Sequence, residues 1–194
     1  SDVCSSDLNE MPFAETSPYS ALSAMAIDPQ FISIADVADF SAIGGEGVLN
    51  EDVRSRLARV RASATVDYST VRDLKDIALR RAFGHFLDAE WQSRGARAAA
   101  FRSFIDGQRW WLEDYALFRA LHAALERSWT EWPEPLRTRQ PDALAQARIE
   151  LRDDVLYRQY LQWVAHEQWN AACAAARDRS EEHTSELQSR FGIS

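Results

Sequence analysis

The residue in this chain best suited to hold a ligand is Tyr19, in the run Ser17-Pro18-Tyr19-Ser20. Proline fixes its own φ angle and restricts the preceding residue, so Pro18 restrains the backbone on both sides of itself. A tyrosine held in a loop presents a ring face and a hydroxyl together. A sugar needs both, because its apolar face stacks on a ring and its hydroxyl groups need hydrogen bonds. Ser17 and Ser20 are flanking candidates for the same contact. The alternative is a tyrosine that only anchors its loop.

Two acidic pairs, Glu113-Asp114 and Asp153-Asp154, have the residue types of a catalytic carboxylate pair. Both lie in segments predicted to be helical, where residues i and i+1 do not face each other. Neither pair can therefore flank one glycosidic bond. We interpret Glu113 and Asp114 as acids near the start of a helix, and we assign no catalytic residue to this chain.

No residue pattern indicates a metal or a cofactor. The histidines His85, His122 and His166 lie far apart without the spacing of a metal site, so we expect surface or interface positions. Cys173 lies in an alanine-rich helix with no base beside it, so we expect it to be inert.

The tryptophans suggest a carbohydrate-stacking platform, but their neighbours favour another interpretation. Trp163 and Trp169 lie in a long helix among apolar residues, which predicts core packing. Trp132 precedes Pro133 in a loop and is the tryptophan that we expect to be exposed.

Composition excludes several classes of function. The chain has 194 residues, 46% hydrophobic residues and a formal net charge of −8. This content suffices for one folded domain, and an acidic chain is poorly suited to nucleic acid, which attracts basic surfaces. No apolar run reaches the roughly 20 residues that span a bilayer, so we expect no membrane association. Apart from Cys4 the chain has one cysteine, which agrees with a reducing, cytoplasmic location.

Both ends read like translations of short-read sequencing adapters. Residues 1–8 read SDVCSSDL and residues 179–194 read RSEEHTSELQSRFGIS. We expect both to be artefacts that are left out of fold reasoning, so that residues 9–178 are the genuine protein, a fragment of a longer reading frame.

The middle of the chain predicts helices. Asn50 and Asp67 are candidate N-caps, and Gly95 separates two helical segments. The later segments have apolar faces at helical spacing, and the last helix is predicted to run from Pro141 to about Asp178. Residues 31–34, rich in β-forming side chains, predict a short strand.

Several of these segments, in this order, resemble the amylomaltases, the 4-alpha-glucanotransferases of glycoside hydrolase family 77. The resemblance covers most of residues 8–178 and rests on LNEMP at 8–12, SPY at 17–19, VDY at 66–68, WLEDYALF at 111–118, WPEPLR at 132–137 and YLQW at 160–163. It implies an α/β fold, an incomplete (β/α)8 TIM barrel of which this segment is the predominantly α-helical part. It also implies that Tyr19 lines the glucan cleft.

The family's mechanism is implied in the same way. An aspartate attacks the anomeric carbon, a glutamate acts as acid and then base, and an α-1,4-glucan or maltooligosaccharide hydroxyl accepts the chain. The resemblance places those carboxylates beyond this chain and requires no cofactor, so we expect the chain alone to be inactive. One departure is Arg72, which stands near the place where some relatives carry a tyrosine tied to a second glucan site. Two alternatives remain: a non-catalytic helical glucan-binding module, and another α-glucan-active barrel enzyme such as a hydrolase.

Overall fold

The fold is built from helices of very different length. The computed structural model describes residues 8–10 and 22–191, with side chains described up to residue 178. The helices are α1 (Ala38–Ala42), α2 (Glu51–Ala62), α3 (Tyr68–Phe86), α4 (Ala96–Leu125), α5 (Glu134–Arg137), α6 (Pro141–Glu150) and α7 (Arg152–Phe191). A π-helical turn, Leu87–Trp91, extends α3. The described residues contain no sheet, only an isolated antiparallel pairing of Asn9 with Ile27. The predominantly helical character is therefore confirmed.

Local chemistry sets the predicted helix starts. The Asn50 side chain accepts a hydrogen bond from the Val53 N–H at 2.9 Å, and Asp67 accepts one from the Thr70 N–H at 3.1 Å. Each satisfies a backbone donor that the first helical turn leaves without an intrahelical partner. Gly95 stands immediately before α4 as expected.

The prediction that Glu113 and Asp114 start a helix is wrong. Both lie well inside α4, which runs for 30 residues without a break. The Glu113 carboxylate lies 3.5 Å from Arg109 one turn earlier, and Asp114 lies 2.5 Å from an Arg139 nitrogen. They are therefore surface ion-pair partners, and the conclusion that they do not form a catalytic pair is unchanged.

The last predicted helix is two helices. The backbone at Leu151 departs from helical geometry, with φ −103° and ψ 20°, between α6 and α7. The Leu151 N–H still donates to Ala147 O at 2.9 Å, so the break costs little hydrogen bonding. No glycine or proline marks it, which is why the sequence did not predict it. The backbone of α7 continues past Asp178 to Phe191.

The strand predicted at residues 31–34 is wrong. This segment contains parts of two 3₁₀ turns, Pro29–Phe31 and Ile34–Asp36. Local turns bond the Phe31 and Ile32 N–H groups, and side chains rather than a neighbouring strand bond the Ile32 carbonyl and both backbone groups of Ser33. The Gln168 side chain accepts from the Ser33 N–H at 2.8 Å and donates to its carbonyl at 3.0 Å, and the Lys75 ammonium donates to the Ile32 carbonyl at 2.8 Å.

The core lies where α3, α4 and α7 meet. Its centre is a set of aromatic rings in mutual contact, with Phe86 5.4 Å from Phe101 and Phe101 5.3 Å from Trp163 between ring centroids. Trp163 is buried as predicted, whereas Trp169 is only partly buried. The apolar face of α4 continues the core toward its C-terminal end.

The prediction that Trp132 is exposed is wrong, since only 7% of it is accessible. Its ring packs against Phe118 with centroids 5.4 Å apart, and its Nε1 donates to Arg127 O at 3.2 Å. The loop turns the indole inward because α4 and α6 leave an apolar space between them. The exposed tryptophans of this region are Trp129 and Trp110.

The described residues contain neither a helix that could cross a membrane nor a cluster that could bind a metal ion. No helix there has both the length and the apolar character that crossing a membrane would require. No group of three or more histidine, cysteine, aspartate or glutamate side chains is placed to hold a metal ion.

Candidate functional site

The residues that flank segment 11–21, in which Tyr19 stands, are bonded together. Glu10 precedes this segment and Leu22 follows it, and the segment itself lies outside the described residues. The Leu22 N–H donates to Glu10 O at 2.7 Å, and the Glu10 N–H donates to Ala26 O at 3.0 Å. One further bond, from Asp28 N–H to Leu8 O at 2.8 Å, completes a short antiparallel pairing. We call residues 8–10 together with 22–28 the neck.

A buried carboxylate fixes the neck to the helices. The Glu10 side chain is 5% exposed, and its carboxylate accepts a hydrogen bond from the Tyr115 hydroxyl. Arg119, one turn further along α4, lies 2.8 Å from the other carboxylate oxygen. Burial raises the pKa of Glu10, and Arg119 and Tyr115 oppose that shift. Burial and the neighbouring Glu10 together raise the pKa of Tyr115 well above its ordinary value, so its hydroxyl stays a donor.

Gln162 on α7 completes this network. Its amide donates to the Ile27 carbonyl at 2.9 Å and accepts from the Ile27 N–H at 3.0 Å, so it holds both backbone groups of that residue. The same amide donates to the Tyr115 hydroxyl at 3.2 Å. The neck is thereby bonded to α4 and α7 through one continuous set of polar side chains.

A second group of contacts fixes the turn after the neck. Asp28 caps the turn by accepting from the Gln30 N–H at 2.9 Å, and Arg72 on α3 lies 3.3 Å from its other oxygen. Lys75, one turn later, donates to the carbonyls of Gln30 and Ile32. Burial lowers the pKa of Lys75, and the Asp28 charge opposes that shift.

Beside the neck lies a cleft of about 910 Å³. Its described lining carries charged side chains of both signs, including Asp28, Arg72, Arg119 and Arg158. None of the described lining residues is a tyrosine, tryptophan or phenylalanine. The described part of this cleft can therefore hydrogen-bond a polar neutral ligand, but it offers no ring of that kind on which a sugar could stack.

Two described carboxylates of the cleft, those of Glu10 and Asp28, are not arranged for glycosidic bond cleavage. A retaining enzyme needs two carboxyl groups about 5–5.5 Å apart, with one free to attack and the other to donate a proton. Glu10 and Asp28 are instead both nearly buried and bonded to arginines. Their geometry holds the backbone in place, and we assign neither of them a catalytic role.

The predicted binding residues Ser17, Tyr19 and Ser20 all lie outside the described residues. Their contact with a ligand stays a prediction. Among the predicted surface histidines, His122 is exposed and lines the cleft. His85 is half-buried, with its Nδ1 3.3 Å from the buried Asp39.

Arg72 does not lie on an open surface, because its guanidinium faces Asp28 in the cleft.

The sequence did not predict the contacts of Glu10, Arg119 and Gln162. One signal was available for Gln162: a polar residue stands between Leu161 and Trp163, which are both buried. A polar side chain at such a position needs a buried hydrogen-bond partner. No comparable local signal marks Glu10, whose partners are more than a hundred residues away in sequence.

Comparison with known proteins identifies the family. A family model described as 4-alpha-glucanotransferase matches residues 6–182. The 4-alpha-glucanotransferase of Thermus thermophilus is 35% identical over 82% of this chain and 29% of its own length. That of Synechocystis is 33% identical over 84% of this chain and 30% of its own length. The chain thus spans less than a third of these relatives.

A solved structure shares the fold. The amylomaltase from Streptococcus agalactiae, in complex with acarbose, matches 88% of this chain and 32% of its own chain, with a TM-score of 0.68 and 23% identity. At that identity the likeness shows the fold alone, and the family rests on the sequence match. The chain belongs to the 4-alpha-glucanotransferase family, glycoside hydrolase family 77.

Proposed function

We propose that this chain is the helical part of a 4-alpha-glucanotransferase that transfers α-1,4-glucan segments between maltooligosaccharides with retention of configuration. In this proposal Tyr19 contacts the glucan, with Ser17 and Ser20 beside it. The catalytic aspartate and glutamate belong to the rest of a (β/α)8 barrel enzyme. In this proposal the chain alone is inactive, because the two carboxyl groups that the reaction requires belong to that other part.

The observation that carries this proposal is the convergence of three family-like segments on one place. Glu10 comes from the first of them, Tyr115 from the middle and Gln162 from the last, and their side chains meet at the neck. The segment whose ends the neck joins is the one that contains Tyr19. Polar groups buried together in this way are costly unless every partner is in place. This arrangement supports the proposal, because it holds the residues on either side of that segment in one defined position.

The relatives and the cleft support the proposed substrate class. The relatives are named 4-alpha-glucanotransferases, and the Streptococcus agalactiae amylomaltase binds acarbose. The described cleft offers polar groups without a tyrosine, tryptophan or phenylalanine ring. Tyr19 would supply the ring that sugar stacking needs.

Transfer between glucans needs no redox or metal chemistry, because two carboxyl groups supply both the nucleophile and the proton. No cofactor is therefore part of the proposal. The cytoplasmic location suggested by the single Cys173 stays a prediction.

The test is a chimera. Residues 9–178 of this chain replace the matching segment of the Thermus thermophilus relative, which supplies the rest of the enzyme. We expect the chimera to convert maltotriose into glucose and longer maltooligosaccharides, and this chain alone to release nothing. Tyr19→Ala in the chimera should raise KM for maltotriose about tenfold, as expected for the loss of one stacked ring. Tyr19→Phe keeps the ring and removes the hydroxyl, so its KM separates the contribution of the ring to binding from that of the hydroxyl.

The products distinguish the alternatives. Glucose and maltose without longer products would indicate a hydrolase. Measurable maltoheptaose affinity of this chain alone, lost in Tyr19→Ala, would favour the binding module. Glucose release from maltotriose by this chain alone would overturn the assignment of the catalytic carboxylates to another part of the protein.

A further inference from the structure

The cleft beside the neck is lined by an arginine that lacks acceptors for its hydrogen-bond donors. Arg158, on α7, lines this cleft and is half-buried. Its guanidinium carbon lies 5.4 Å from the centre of the Tyr157 ring, but it makes no hydrogen bond or ion pair with a described residue, and its Nε is buried without a partner. The Nε of Arg119, in the same cleft, is buried in the same way. Buried donors without acceptors are costly, so two such groups in one cleft call for acceptors from outside the described residues.

The buried carboxylates of the cleft are already bonded to other cations. Glu10 lies 2.8 Å from Arg119, and Asp28 lies 3.3 Å from Arg72. Burial raises the pKa of Glu10, and the charge of Arg158 is among those that oppose this shift. Arg158 is therefore near enough to act on the Glu10 carboxylate, yet that carboxylate does not bond to it.

Lys75 adds a second positive charge that is only partly offset. Its ammonium has three N–H donors and gives two of them to the carbonyls of Gln30 and Ile32. Asp28, whose charge acts on Lys75, also faces Arg72. The half-buried cations of the cleft thus outnumber its buried carboxylates, Glu10 and Asp28; these cations include Arg72, Lys75, Arg119 and Arg158.

The other charged side chains of the described lining do not remove this excess. Arg56 and Asp73 pair with each other at 3.5 Å. Asp76 is bonded to Arg80, which lies outside the described lining, and Glu126 is exposed. The excess positive charge therefore stays with the half-buried cations around Arg158.

A phosphate group has the charge and the acceptors that this cleft lacks. It carries roughly −1.5 to −2 charge near neutral pH and has three acceptor oxygens. A guanidinium can bind it through two parallel N–H donors, and a lysine binds it as a point charge. The volume of about 910 Å³ lies within the range of small-molecule sites, and Gln30 and His122 line the same cleft with polar groups suited to hydroxyls. A neutral glucan, in contrast, would leave the excess charge uncompensated.

We propose that this cleft is a binding site for a phosphate group, either free phosphate or the phosphate of a small sugar, with Arg158 as its principal ligand-binding residue and Lys75 and Arg119 beside it. The site lies within the described residues. It depends neither on the proposed contact of Tyr19 with glucan nor on transferase activity, so its failure would leave the proposed function unchanged.

The experiment is calorimetric titration of the full 194-residue chain with glucose 6-phosphate, inorganic phosphate and glucose. The ionic strength is held at about 0.15 M, at which attraction between distant surface charges is largely screened. We expect saturable binding of the phosphate-bearing ligands and none of glucose. Tighter binding of glucose 6-phosphate identifies a sugar phosphate as the ligand, and equal affinities identify free phosphate. No saturable binding of either one, or equal binding of glucose, would overturn the proposal.

Arg158→Gln tests the principal residue. It should weaken binding at least about tenfold, because one charge-assisted pair of hydrogen bonds is lost. The matched control is Arg109→Gln, which removes the same charge from a side chain that is 61% exposed and outside the described lining. Its affinity should stay within about twofold of the unaltered chain. Equal losses in the two variants would show general attraction to a less acidic chain and would refute the site.

Thermal unfolding supplies a second readout that does not depend on the stability of each variant. A ligand that binds the folded state should raise Tm progressively with its concentration. We expect this rise in the unaltered chain and not in Arg158→Glu, whose carboxylate repels phosphate. Each protein is compared with itself, with and without ligand, so a variant of low Tm is still informative. A rise of the same size in both proteins would exclude Arg158 as the binding residue.

Discussion

Asp39 and Arg97 form the most consequential ion pair in the core. The Asp39 side chain is fully buried, and the Arg97 guanidinium donates to its two oxygens at 2.5 and 2.7 Å. The Tyr160 hydroxyl donates to the same carboxylate at 2.8 Å. Arg97 also lies over the Phe86 ring, 5.5 Å from the centroid. We predict that Arg97→Met, which keeps an apolar stem over that ring, strongly destabilises the chain.

The size of this destabilisation depends on the Asp39 charge, which stays buried when Arg97 is replaced. Breaking a buried ion pair by removing one partner costs about 3–5 kcal/mol, because the other charge is left uncompensated. Arg97 is 35% exposed, so water can reach part of its place, and Tyr160 stays bonded. We therefore expect a loss of about 2–3 kcal/mol in the free energy of unfolding. For a chain of this size that corresponds to a fall in Tm of about 4–12 °C.

The assay is urea unfolding followed by circular dichroism, with Arg109→Met as the matched control. Arg109 pairs with Asp106 at 2.7 Å, but both are more than 60% exposed, so its loss should cost less than about 0.5 kcal/mol. Adding Asp39→Asn to Arg97→Met should recover about 1 kcal/mol, because the unpaired charge is gone. Equal costs for Arg97→Met and Arg109→Met, or additive losses in the double variant, would refute the reasoning.

Three further predictions concern Asp39, Trp132 and Asn50. Burial raises the pKa of Asp39, but hydrogen bonds from Arg97 and Tyr160 outweigh burial and hold that pKa below its ordinary 3.8. The resulting stability is present above pH 3.8 and is lost as the pH falls through the folded-state pKa. Urea unfolding at a series of pH values should show this loss of stability at low pH, and Asp39→Asn should remove it. Trp132→Ala should cost about 3–5 kcal/mol by thermal unfolding, whereas Trp129→Ala, at a residue 54% exposed, should cost less than about 0.5 kcal/mol. Asn50→Ala should cost about 1 kcal/mol in the same assay through loss of the cap, and Asn50→Asp should restore most of it.

Sequence reasoning succeeded where the causes are local. The caps at Asn50 and Asp67 depend on a side chain and a backbone N–H three residues later, so the sequence contains both partners of the bond. The buried face of α3 depends only on helical spacing. The family could also be identified because motif order and spacing are properties of the sequence.

It failed where the deciding contact is distant. Residues 31–34 have the composition of a strand, but Lys75 and Gln168 bind the backbone groups of Ile32 and Ser33 that a neighbouring strand would use. Trp132 follows a loop-like pattern, yet its environment is set by α4 and α6. The break at Leu151 has no marker residue at all. For the site, the local sequence around Pro18 indicated Tyr19 as a candidate. The network around Glu10 joins residues that are distant in sequence, so it could be recognised only in the folded structure.

The contacts of Gln162, Gln168 and Lys75 point to one way of holding irregular chain. Each of these long polar side chains extends from a helix and bonds backbone groups that in a sheet would bond a neighbouring strand. Buried backbone groups must be bonded somewhere, so a segment without regular structure depends on such side chains. Among residues 22–37 these bonds come from α3 and α7, and they fix the path of the chain at Ile27, Ile32 and Ser33. Irregular chain held in this way does not need a neighbouring strand to satisfy those backbone groups. The polar residues of these helices, rather than the acidic pairs, are therefore the ones that hold this part of the chain.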